Sequence, residues 1–128
     1  MRPIIKKIEA VLEEVEQERG PLLFAALVER EDTPGRYDLL LSAEWARKER
    51  EFYQMIVSEL VNHFTDADWS LYSRTVFLDP DGEFIHDFSE AVGQLNQPRD
   101  LRNTRIVNTN ILYAHLFPTH PGRLPVSL

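Results

Sequence analysis

The sequence predicts an α+β fold, a largely antiparallel sheet with helices on one face and elements in the order α-β-β-α-β-α-β. Three observations predict it. Apolar residues recur at helical spacing in three segments. Runs rich in β-branched and aromatic residues lie between and after them. No internal repeat or low-complexity tract divides the 128 residues, a length that suits one domain. That domain is expected over 1–116, with a Pro-rich tail over 117–128.

The first helix is marked by Ile4, Ile5, Ile8, Val11, Leu12 and Val15, which form one apolar stripe. Pro3 suits a first helical turn, and Gly20-Pro21 is a stop. Two apolar runs, 22–29 and 36–41, flank EDTPGR and predict an antiparallel hairpin. Ser42 is a candidate cap for a second helix over 44–64. There Trp45, Phe52, Tyr53, Ile56, Val57, Leu60 and Phe64 keep helical spacing, with Glu44 and Lys48 paired on the other side. TDAD reads as a loop and WSLYSRTVFL as the third strand.

Asp79 reads as the N-cap of a third helix, with Pro80 in its first turn and a stripe from Phe84 to Leu95. The competing reading takes D-P-D-G as the tight turn of a hairpin. TRIVNTNILYAHLF is a strand or a pair of strands. PTHPGRLPVSL, with three prolines, is neither helix nor central strand.

Composition bounds the chemistry. There is no cysteine, so disulfides and thiolate sites are absent and a cytoplasmic location is expected. The N-terminus is not a signal peptide, and no run is long and apolar enough for a membrane span. The net charge of -7 argues against nucleic-acid binding. Charge is also uneven: residues 1–98 hold 20 acids and 10 bases, and residues 99–128 hold one acid and four bases.

The segment DPDGEFIHDFSE, residues 79–90, carries the nearest approach to a motif. An EF-hand loop needs glycine at its sixth place, and Phe84 stands there, so calcium is rejected. VFLDPDGEF also resembles the first motif of haloacid-dehalogenase-type phosphatases. That resemblance implies a nucleophile at Asp79 and an acid/base at Asp81. It spans about nine residues, and Glu83 stands where threonine is expected. The family also needs a downstream lysine, and every lysine here (Lys6, Lys7, Lys48) lies upstream. The resemblance is set aside, and a PD-(D/E)xK nuclease reading of Pro80-Asp81 fails for the same missing lysine.

His63 with Asp66 and Asp68 offers divalent-metal ligands, though a helix end beside an acidic loop gives the same residues. His115 and His120 flank a proline and read as surface residues. Arg99, Arg102 and Arg105 converge if their segment turns, which would suit a small anionic ligand or a partner contact. Pairing with the chain's own acids is the plainer account. The first helix also breaks a rule: Lys6 and Lys7 open it and Glu13, Glu14, Glu16 and Glu18 close it, against the macrodipole. The expected compensation is contact with the basic stretch from Arg99 to Arg105, of this chain or of a partner.

The resulting expectation is a small soluble non-catalytic domain acting through protein-protein contacts, as a homo-oligomer. No cofactor, nucleic acid or membrane is expected. The alternative is a small metal-dependent hydrolase or nuclease using Asp79/Asp81 or His63/Asp66/Asp68.

Overall fold

The computed structural model describes residues 3–45 and 51–120. It is an α+β fold with a mixed, largely antiparallel sheet, in roughly the expected order. The elements are α1 (Pro3–Arg19), β1 (Phe24–Arg30), β2 (Tyr37–Ser42), α2 (Glu51–His63), α3 (Asp66–Leu71), β3 (Tyr72–Phe77), α4 (Glu83–Val92), β4 (Arg99–Ile106) and β5 (Thr109–Leu116). The expected pairing of Glu44 with Lys48 lies outside the described residues.

The five strands are ordered β3-β2-β1-β5-β4. β1 pairs antiparallel with β2 and β5, and β4 pairs antiparallel with β5. β2 and β3 are parallel. A parallel pair cannot close with a tight turn, so α2 and α3 fill the crossover between them. In the β1–β2 hairpin, Gly35 takes φ 82°, where glycine has no Cβ penalty, and its amide donates to Glu29 Oε2 at 2.7 Å.

Strand alternation sorts the core into two layers. Ala25, Leu27, Leu39 and Leu41 face α1 and α2, meeting Ile8, Val11, Phe52, Ile56 and Leu60. Phe24, Ala26, Val28 and Leu40 face the other way, against Ile85, Phe88 and Val92 of α4. Helices therefore cover both faces, not one. The sequence hides this because β1 and β2 are buried on both sides and read as continuous apolar runs.

Three local expectations change. TDAD is the start of α3, not a loop. Thr65 caps it and Asp68 closes a capping box, so the expected third strand begins only at Tyr72. Asp79 does not cap α4. Its carbonyl accepts from Gly82 N at 2.9 Å and its Oδ1 accepts from Asp81 N at 3.0 Å, forming a turn. Gly82 is the N-cap. The D-P-D-G turn and the helix are thus both real, in succession. Ser42 ends β2, and its hydroxyl donates to Leu78 O at 2.9 Å.

Beyond Leu116 the chain stays attached to the body. Phe117 is buried in the α1-side layer, and the Thr119 amide donates to Asn96 O at 3.2 Å. Leu124, Val126 and Leu128 lie outside the described residues. No helix among the described residues is long and apolar enough to cross a membrane.

Candidate functional site

α1 and α2 pack by their apolar stripes, which turns their polar flanks toward each other at one seam. Glu14 of α1 meets Glu59 and His63 of α2 there, with one ligand atom of each within 4.8 Å of the others. Glu59 is held above the ordinary carboxylate range. Desolvation is the first cause, a hydrogen bond with Glu14 the next, then repulsion from Glu14 and Glu18, while His63 opposes the shift. Two carboxylates and an imidazole make the donor set of a first-row divalent cation.

Glu13, Glu16 and His120 form the second such group among the described residues. Its chemistry differs, because Glu16 is already saturated. Oε2 accepts from Leu22 N at 2.9 Å and His120 N at 3.0 Å, and Oε1 lies 2.8 Å from His120 Nδ1. Glu16 is 2% exposed. A buried carboxylate with this many donors is a latch joining the end of α1 to the segment after β5.

Two of the reversed charges of α1 find partners within the chain. Lys7 pairs with Asp68 at the start of α3, and Glu16 takes the latch contacts. Within the chain, neither of these two groups contacts the stretch from Arg99 to Arg105. Burial pushes the Asp68 carboxyl up. The Lys7 hydrogen bond, both Thr65 hydrogen bonds and the Lys7 charge pull harder, leaving it below its usual value.

The three arginines lie on β4, an outer strand, where side chains alternate. Arg99 Nη1 donates to Val92 O at the end of α4, at 2.8 Å. Arg102 lies over the Tyr113 ring, 5.0 Å from its centroid, and Tyr113 belongs to the opposite layer. Arg105 is exposed opposite Asn110. The small anionic ligand expected here is overturned. What the fold gathers are carboxylates with imidazoles, which suit a cation.

Of the metal ligands expected from sequence, His63 joins a cluster, but with Glu14 and Glu59. Asp68 is committed to Thr65 and Lys7, and Asp79 and Asp81 belong to the turn before α4. Neither cluster includes Asp66, Asp68, Asp79 or Asp81. His86 pairs with Glu90 one turn on, at 3.2 Å, and His115 pairs with Asp100 across β4 and β5. Glu14 and Glu59 escaped the sequence reading because they are far apart in the chain and each fits a solvated helix flank. The one available signal was helical phase, which leaves both beside an apolar stripe. Comparison with known proteins finds no matching family model, no matching curated protein and no matching solved structure.

Proposed function

We propose that this chain is a non-catalytic module that acts through protein contacts, with a second copy of itself as partner. One observation carries the reading. Tyr53, Val57 and Val61 follow one another at i, i+4 and i+8 along the outside of α2. Tyr53 is 45% and Val61 57% exposed, with Val57 half-buried between them. A helix that has buried one stripe against the core and shows a second has surface left for a partner.

A copy of the chain supplies apolar surface of the same kind. It also supplies opposite charge, since acids flank α2 and arginines line β4. Exposed ion pairs contribute only about 0–1 kcal/mol each, so the ridge must carry most of the affinity. Sedimentation at micromolar concentration tests this. The wild type should run as a dimer and Val61→Asp as a monomer. A monomeric wild type overturns the reading.

A second reading, a divalent-cation site, is supported by the Glu14, Glu59 and His63 cluster. Zinc should raise the melting temperature of the wild type and leave that of His63→Ala unmoved. Equal effects on both proteins remove it.

A further inference from the structure

The sheet face beneath α4 holds a cavity of about 190 Å³. Val76, Phe84 and Ile111 give it apolar walls, and Arg30, Asp38 and Arg74 give it charge. Asp38 is 3% exposed. Its Oδ2 lies 2.9 Å from Arg30 Nε and 3.4 Å from Arg74 Nε. Among the described residues, no group hydrogen-bonds its Oδ1. A buried carboxylate oxygen without a donor is costly, and Asp38 lines the cavity.

We propose that this cavity binds a small neutral planar lactam, a ring with an N–H and a C=O side by side. The local charges select it. Oδ1 requires a donor. Two guanidiniums already surround the one carboxylate, so a full cation is disfavoured, and the carboxylate itself disfavours a full anion. A lactam edge answers both at once: its N–H donates to Asp38, and its carbonyl accepts a spare guanidinium N–H. The ring lies between the apolar walls. The size agrees, because pockets for drug-sized ligands run about 300–1,000 Å³ and this one suits a single ring. Arg74, with 54% of its side chain exposed, is the group able to swing aside for entry.

Uracil is the probe, and 1,3-dimethyluracil, which keeps the ring and carbonyls but has no N–H, is its control. Methyl NMR signals of Val76 and Ile111 in the full chain should shift with uracil at millimolar concentration. The dimethylated ring should bind about tenfold more weakly or not at all. Asp38→Asn should lose the preference between the two. No shift with either ring means that water alone satisfies Oδ1, and the proposal falls. Equal binding of both rings by the wild type also overturns it, and that comparison holds even if Asp38→Asn fails to fold.

Discussion

His120 Nδ1 lies 2.8 Å from Glu16 Oε1, and the two residues stand 104 positions apart in the chain. The same carboxylate accepts two backbone amides, so one side chain organises the end of α1, the turn to β1 and the segment after β5. Replacing Glu16 with alanine leaves the Leu22 and His120 amides without this acceptor in a buried site. The expected loss is about 2–3 kcal/mol, read as a lower urea midpoint. His120→Ala removes only the ring and should cost less. Equal midpoints for Glu16→Ala and wild type would show that the latch contributes nothing.

Thr65 and Asp68 form the capping box of α3, and Asp68 also holds Lys7. Thr65→Ala should cost about 1 kcal/mol. Asp68 has a lowered pKa in the folded protein, so the unfolded chain takes up its proton first as pH falls. The stability it confers is present above its ordinary value of 3.8 and is lost as pH drops from there through the folded value. Acid titration of unfolding for wild type and Asp68→Asn should show the two converging below pH 3.8.

Glu59 works in the opposite sense. Its pKa is raised, so the folded protein keeps this proton longer than the unfolded chain does. Its contribution to stability falls as pH rises from 4.5 through the folded value. Glu59→Gln should therefore be more stable than wild type at neutral pH, with the gap closing toward pH 4.5. A gap that is constant with pH would mean that charge repulsion at the α1–α2 seam is not its source.

Gly82 caps α4 at φ -77°, an ordinary backbone conformation, so strain is not why glycine stands there. A Cβ at this position would sit 3.0 Å from the Asp79 carbonyl oxygen. Gly82→Ala should cost about 1–3 kcal/mol by forcing the turn open. Gly93 is the contrast: a Cβ there meets nothing within 4 Å, but φ is 82°. Gly93→Ala should lose about 1–3 kcal/mol from backbone strain alone, because ψ is -66° and the pair lies outside the regions that L residues populate. Thermal melts of both variants, with amide exchange at Gly82 and Asp81, separate the two causes.

Much of the fold was legible wherever periodicity was long. The stripe from Ile4 to Val15 gave α1, and the Pro34-Gly35 turn placed the hairpin within two residues. Short elements were misread where one residue type serves two roles. Trp69 and Leu71 look like strand residues, yet the Thr65–Asp68 box makes them helical. The side of the sheet taken by α4 was not legible, because strands buried on both faces carry no alternation to read. The clusters were harder still. Helical phase exposes Glu14, Glu59 and His63 to a flank, but which flanks meet is decided by how α1 and α2 cross.

The register of β1 against β5 has a consequence for biosynthesis. Ala26 pairs with Leu116, so β1 must wait for a strand that lies far along the chain. Until β5 leaves the ribosome, β1 has a neighbour on one edge only, and FAALV is an apolar run with open backbone donors and acceptors. The hairpin and α1 can assemble during synthesis, but the sheet cannot close until β5 has been made. A premature stop anywhere before β5 therefore leaves an edge that seeks another β1, and such fragments should aggregate rather than persist as smaller folded units.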